Sequence, residues 1–298
     1  MIIGYVVMCL IFGTTYFMIK IGLEEGIPPF LFAGLRFFLA GAIVLLFMAW
    51  RKQFRWLTLR EYGEMAILGL LMTTIPFAAL FWGEQYISSG TAALLVASAP
   101  IFTTLVSVFY KQIRFRWYVL AGLLLSVSGA ALILSNQLDG EDYGWYSFFS
   151  KLFIIASELF FSIGAVRSRK IVKKLSPFVF NGYQMVFASI GLFLISAVTE
   201  PIAAVAFTAS SLLALFYLAV VASIIASTIY YWLVKETNAT FPTTWTYVAP
   251  VIAMGIGAAF LGEQLTVIGI CGGIGVLTGI LLLNWETWGK LVSVSSND

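Results

Sequence analysis

Apolar stretches of about twenty residues, separated by short polar breaks, follow one another along almost the whole chain. Ten can be marked, at 3–22, 30–50, 62–81, 89–110, 117–136, 144–165, 178–198, 209–233, 240–260 and 266–284. Each is long enough for a helix to cross a hydrocarbon core of about 30 Å. The pattern therefore predicts an all-α membrane protein with ten transmembrane helices. The polar breaks test that count. With the N-terminus in the cytoplasm, the inner breaks hold Arg51, Lys52, Arg55, Arg60, Lys111, Arg114, Arg116, Arg167, Arg169, Lys170, Lys173, Lys174, Lys235 and Lys290. The outer breaks hold no Lys or Arg and carry Glu24, Glu25, Glu84, Asp139, Glu141, Asp142, Glu200 and Glu263. One helix missed or invented would invert every later break and destroy this positive-inside pattern. Both termini are thus expected inside.

The second feature is a repeat. Trp82, Ala99, Pro100, Gly122, Gly129 and Leu132 fall without a gap on Trp232, Ala249, Pro250, Gly272, Gly279 and Leu282, about 150 residues on. Apolar sequences match by composition alone, but Trp, Pro and Gly are not geometrically interchangeable. Ten segments in two equal parts put five in each, an odd number, so the second part must enter the membrane upside down. The expected organisation is a first five-helix repeat at 1–138, an inverted second repeat at 139–285 and a short cytoplasmic tail at 286–298. Inverted repeats of this kind are a framework for alternating access, with the site between the halves.

Composition narrows the class further. At 61% hydrophobic and 10% charged residues, the chain has the bilayer as its solvent, and its net charge of +3 does not point to nucleic acid. His is absent, which removes His-based metal sites, bases and proton relays. No paired acids or metal-spaced ligands lie inside a segment, and nothing resembles a nucleotide-phosphate loop, so neither an enzyme, a cofactor nor direct use of ATP is expected. Cys9 and Cys271 both lie in apolar segments, which disfavours a stabilising disulfide. The first segment lacks a basic leader and a small-residue cleavage site and is read as a retained span.

Particular motifs give a family resemblance. Phe12-Gly13-Thr14-Thr15-Tyr16-Phe17, Lys20, Pro28-Pro29 and Phe32-Ala33-Gly34-Leu35-Arg36-Phe37 resemble the opening signature of the EamA-type drug/metabolite transporters. Phe12 stands where that signature usually has Trp. Ala249-Pro250, Leu261-Gly262-Glu263-Gln264-Leu265-Thr266, Gly269, Gly272 and Gly279 resemble its closing part more closely. The first half departs at the corresponding turn, Phe109-Tyr110-Lys111-Gln112, and the second half opens with only Pro177-Phe178 and Gly182 in common. The resemblance implies a ten-helix exporter of a bacterial inner membrane, with helices 1, 3, 4, 6, 8 and 9 around a cavity and 5 and 10 bracing it. It does not select a substrate, since relatives export amino acids, nucleotide-related metabolites, sugars or drugs.

Of the ionisable residues inside segments, Lys20, Arg36, Lys151 and Glu158 are singled out. A charge at the bilayer centre costs about 2.5–3.5 kcal/mol on insertion scales, so each needs a reason to be there. Lys20 is close enough to the outer end to snorkel. Arg36 and Lys151 lie about 9 Å below the outer surface; Arg36 fits either a structural tie or a substrate contact. Glu158 is about 14 residues into its segment, where a short side chain cannot reach water. It reads as a proton site or as the binder of a substrate ammonium, against the blander reading of an acid hydrogen-bonded to Ser or Thr. Lys151 is seven residues earlier and is expected on the same helix face.

Thr15 and Tyr16 form, with Thr14, a polar patch of the first segment that the repeat sets against Glu158. Tyr230, Tyr231 and Trp232, with Trp245 and Tyr247, are candidates for stacking on a planar or cationic group, and Asn181 and Gln184 are polar candidates. Trp50, Trp56, Trp117, Trp145, Trp285 and Trp288 sit near segment ends and fit an interfacial belt. Pro100 and Pro250 lie mid-segment and read equally as hinges or as fixed kinks. The Gly-x-x-x-Gly spacings of Gly269–Gly273 and Gly275–Gly279 predict close helix packing, better met within the chain than by a second copy.

The sequence thus favours a secondary active exporter of small metabolites such as amino acids, or of amphipathic drug-like compounds. Its partners would be a small-molecule substrate and the lipid bilayer, with proton coupling through Glu158, and it would act as a monomer or homodimer. Two alternatives stand beside it: a flippase for lipids or lipid-linked metabolites, and a non-transporting membrane scaffold.

Overall fold

The computed structural model describes residues 1–87, 89–114, 116–134, 144–201, 207–249, 252 and 267–286. Among them every regular element is helical. Seven helices are long and apolar enough to cross a membrane: α1 (Ile2–Glu24), α2 (Pro29–Trp50), α3 (Leu59–Gly83), α4 (Thr91–Phe109), α6 (Trp145–Val172), α7 (Pro177–Thr199) and α8 (Ala209–Glu236). Two shorter apolar helices, α5 (Trp117–Leu134) and α10 (Val267–Leu283), accompany them. The segment between α8 and α10 is described at its start, where α9 (Thr240–Thr243) forms one helical turn.

Local chemistry sets the helix ends. Pro29 and Pro177 occupy first-turn positions, where the missing N–H costs nothing, and Ser176 accepts from the Val179 N–H. Thr58 and Glu61 form a reciprocal capping box at the start of α3. The carboxylate of Glu200, at the end of α7, accepts the main-chain N–H groups of Phe30 and Leu31 at 2.6 and 2.9 Å. One side chain thereby satisfies two orphan donors and ties α7 to the positive end of α2.

Two C-terminal turns are less comfortable. Lys52 and Lys111 take left-handed backbone angles (φ 54 and 55°) where α2 and α4 end. Each turn closes by paired hydrogen bonds, Gln53 N–H to Met48 O and Lys52 N–H to Ala49 O in the first. This is the position that glycine fills most cheaply. Lys52→Gly is expected to stabilise the fold by up to ~1 kcal/mol and Lys52→Val to destabilise it by at least as much. Thermal melting of the purified variants in one detergent checks both signs.

Several helices are interrupted where they face the interior. α1 breaks at Thr14, and α4 breaks between Val96 and Ala99. Pro100 falls in the first turn of the second piece of α4, so its missing donor falls where a new helix has none to lose. Pro250 lies outside the described residues. α3 and α8 each widen into a π-helical stretch, Leu70–Thr74 and Tyr217–Ala226. In α3 the carbonyl of Met72, which Pro76 cannot serve, lies in that stretch. In α8 no proline is involved; Asn181 Nδ2 of α7 donates to the Ser223 carbonyl at 2.9 Å instead.

α5 and α10 pack against each other along their length. A Cβ on Gly122 would stand 2.6 Å from Leu283 N and 2.7 Å from Gly279 O, and one on Gly129 would stand 2.5 Å from Gly272 O. Residue 122 thus meets 279 and residue 129 meets 272, so the helices run antiparallel with their backbones almost touching. The four glycines that the repeat aligns meet crosswise, each against the partner of the other. The Gly275–Gly279 spacing in α10 is therefore taken up inside the chain.

Outside the helices' packed faces, Trp50, Trp56, Trp117, Trp145 and Trp285 are all exposed; Trp288 lies outside the described residues. At one end of the molecule Arg167 of α6 bridges to Glu64 of α3 at 3.0 Å.

Candidate functional site

A central cavity lies where α1, α2, α3, α4, α6, α7, α8 and the α9 segment converge. α2 and α7 contribute to the wall in addition to the six helices that the resemblance implies. Neither α5 nor α10 does so among the described residues.

The helix breaks bring polar groups into this wall. Beside the break at Thr14 stand Thr15 and Tyr16, both on the cavity. The Thr15 hydroxyl donates to Phe12 O at 2.6 Å, so its oxygen remains to accept. Met72 and Thr73 come from the π-helical part of α3 and Pro76 follows it, while Ser227, Tyr230 and Tyr231 follow that of α8.

Arg36 is 1% exposed and lines the cavity. Its Nε donates to Ser223 Oγ at 2.9 Å, and its guanidinium carbon stands 4.8 Å from the ring centres of both Phe37 and Phe77. Two aromatic faces and a hydroxyl thus hold the cation in the interior. Across the cavity Gln184 donates to Thr73 Oγ1. Thr73 and Ser223 stand in the same register as Trp82 and Trp232, so a side chain from α2 reaches the widened part of α8 and one from α7 reaches that of α3. Three buried polar atoms of the wall, Arg36 Nη1, Gln184 Oε1 and Tyr230 OH, have no hydrogen-bond partner among the described residues.

Glu158 also lines the cavity and is buried. Among the described residues it makes no hydrogen bond to Ser or Thr; the neighbouring Ser157 hydroxyl turns back to Ile154 O. It lies within electrostatic reach of Tyr16 and Tyr230. Aromatic rings complete the wall: Trp245 packs on Phe12 and Tyr16 with ring centres 4.6 and 6.3 Å apart. Tyr231 packs edge-on against Phe180 and Tyr230 at 4.6 and 5.3 Å. Glu158, Arg36, Thr15, Tyr16, Tyr231 and Trp245 are therefore brought together in one wall.

Three other candidates stand elsewhere. Lys151 is exposed and away from the cavity. The buried stripe of α6 runs through Ser147, Ser150, Ile154, Ser157 and Glu158. At the level of Lys151 it is one residue wide, so a heptad step back from Glu158 leaves the packed face. Tyr247 is fully buried, but in a separate cluster with Val119, Leu123, Val276 and Ile280 under the α5/α10 pair. Lys20 lies one turn beyond the cavity wall, where its Nζ donates to Glu84 O at 3.2 Å.

Glu84 is a correction to the sequence reading. It is expected in an outer break, yet it is 0% exposed and both carboxylate oxygens are buried. No sequence signal marks this, because an acid three residues past an apolar run reads as solvated. Phe161, Thr73 and Thr246 of the wall were likewise unmarked by sequence.

The model of the EamA-like transporter family matches twice, over residues 1–135 and 148–285. An uncharacterized inner membrane transporter of Escherichia coli K12, YedA, is 29% identical over 261 residues, covering 86% of this chain and 81% of its own. An uncharacterized transporter of Bacillus subtilis, YoaV, is 24% identical, with 94% and 95% covered. A probable amino-acid metabolite efflux pump of Escherichia coli K12 is 25% identical over 296 residues, with 96% and 95% covered. A crystal structure superposes with a TM-score of 0.77 over 95% of this chain and 96% of its own; at 19% identity it shows a shared fold.

Proposed function

The chain belongs to the EamA-like transporter family, a multi-pass transporter of the inner membrane, and from that premise we propose that it exports a small zwitterionic or amphipathic metabolite of amino-acid type by proton-coupled alternating access. The observation that carries the reading is that Glu158 and Arg36, residues of opposite formal charge, both line one aromatic-walled cavity. In a low-dielectric wall a fixed anion and a fixed cation select a ligand with a complementary charge pair, because either charge alone would leave one of them uncompensated. Arg36 offers its unpartnered Nη1 to a carboxylate, Glu158 meets an ammonium or a proton, and Trp245, Tyr230 and Tyr231 face the ligand's apolar part. Proton and substrate amine compete for Glu158, which is the simplest form of exchange between the two.

The reading includes ten helices in two inverted halves with both termini in the cytoplasm. Its support is the crossed register of α5 and α10, the matched pair Arg36–Ser223 and Gln184–Thr73, and the one-sided placement of Lys and Arg. The paired π-helical stretches are where α3 and α8 would bend as the halves rock. The efflux pump named for amino-acid metabolites favours the same substrate class.

Efflux from proteoliposomes filled with amino acids, their decarboxylated amines and their deaminated acids tests the substrate class. Zwitterions are expected to leave at least ~10-fold faster than either analogue, and Arg36→Met should erase the preference over the amines. Equal efflux of all three sets by the wild type would contradict the charge-pair reading, and export of lipid alone would favour a flippase.

A further inference from the structure

On the α3 side of the cavity, Pro76 and Leu80 line the wall and Glu84 follows one turn later; on α1, Tyr16 lines the wall and Lys20 follows one turn later. The two turns meet, since Lys20 Nζ reaches the main-chain carbonyl of Glu84. The place is sealed. Glu84 is 0% exposed, and the turn before it is closed by α6, with a Cβ on Gly83 falling 2.8 Å from Ile154 Cδ1. Neither carboxylate oxygen has a hydrogen-bond partner among the described residues, and neither Lys20 nor Arg36 comes within salt-bridge distance of it there. A carboxylate so placed keeps its charge only at high cost, while a carboxylic acid is tolerated.

We propose that Glu84 is a second proton-binding group of the transport path, one turn beyond the central cavity on its outer side and in series with Glu158. The inference rests on the exporter reading for its direction, though not for the chemistry of the site. The charged and titratable groups facing Glu84 are Lys20 and Tyr16 from α1 and Arg36 from α2; from α6, Glu158 lies beyond Tyr16, while Lys151 points away. Burial pushes the carboxyl well above its usual range, against the opposing pull of Lys20 and Arg36. Tyr16 is within electrostatic reach of both Glu84 and Glu158, so the two acids share one neighbour. A proton entering from outside would reside on Glu84 when the outer face closes and pass to the cavity when Glu158 is free of its ligand. Arg36 adds a switch: a substrate carboxylate that draws the guanidinium to itself weakens its hold on the Glu84 charge and favours the protonated form.

Infrared spectroscopy of the purified full chain in nanodiscs tests this without any substrate, because a buried protonated carboxyl has a carbonyl stretch separate from the amide and carboxylate bands. Titrated from acid to alkaline pH, the wild type is expected to lose two such bands. Glu84→Gln should remove one of them at every pH, and Glu158→Gln the other. An unchanged carboxyl signal in Glu84→Gln would overturn the proposal, whereas an unchanged signal in Glu158→Gln would count against the coupling reading alone. Should Glu84→Gln fail to fold, Lys20→Met is the second arm. Loss of that cation must move the Glu84 band's midpoint to higher pH, and a midpoint that stays put contradicts the assignment.

Discussion

Glu158→Gln is expected to abolish accumulation driven by a pH gradient while leaving the protein folded. Glutamine keeps the size and hydrogen-bonding capacity of the acid but can neither take up nor release a proton. Among the described residues of the cavity wall, Glu158 is the sole carboxylic acid, so no neighbour replaces it. We expect the gradient-driven component to fall at least ~100-fold, the scale on which a positioned proton donor contributes. Exchange of labelled for unlabelled substrate at equal pH separates the two roles of the residue. If exchange persists within a few-fold, Glu158 couples protons; if exchange also disappears, it holds the substrate amine as well. Gradient-driven accumulation equal to the wild type would make the residue structural.

The largest effect on stability is expected at Gly129. A side chain there meets the Gly272 carbonyl at 2.5 Å and Val276 N at 2.7 Å, both main-chain atoms that cannot swing aside. Gly129→Val must push α5 and α10 apart over several turns and should cost ~3 kcal/mol or more, at the upper end for overpacking. Because the small-residue contact is what lets two apolar helices associate in lipid, separation loses dispersion contacts with no hydrophobic compensation. Gly63→Ala is the matched control. Nothing lies within 4 Å of a Cβ at that position of α3, and alanine there should stabilise by up to ~1 kcal/mol through helix propensity. Melting curves of both variants in detergent give the comparison. A Gly129→Val melting point at or above that of the wild type would contradict the packing account.

Much of the fold was legible because membrane helices write themselves as length and apolarity, which need no knowledge of tertiary contacts. The glycines of α5 and α10 were legible for a related reason: close backbone approach leaves few residue choices, so their spacing survives in the sequence. The interior charges Arg36 and Glu158 stood out because a charge inside an apolar run demands compensation, and both proved to line one cavity. Lys151 and Tyr247 stand away from the cavity for a related reason: position along a segment does not fix azimuth. The side of a helix that neighbours cover changes along its length, as it does in α6 between Lys151 and Glu158. Glu84 fails in the opposite sense. Its position at the end of an apolar run resembles that of any solvated acid, and only the convergence of α1, α2 and α6 around it removes it from water. The π-helical stretches of α3 and α8 were illegible too, since apart from Pro76, just after the first, no residue type marks them. Pro250 and the closing part of the ninth segment lie outside the described residues.

The central claim is that proton entry and substrate exit are exchanged through one cavity. The most direct measurement uses wild-type proteoliposomes in a mixed metabolite pool, sampled by mass spectrometry with and without an imposed pH gradient. The account predicts that at least one zwitterionic solute accumulates against its own concentration gradient on the acidic side. It also predicts that a protonophore collapses this accumulation and that external alkalinisation accompanies the movement. Solute that only equilibrates, at a rate indifferent to the gradient and the protonophore, would contradict it.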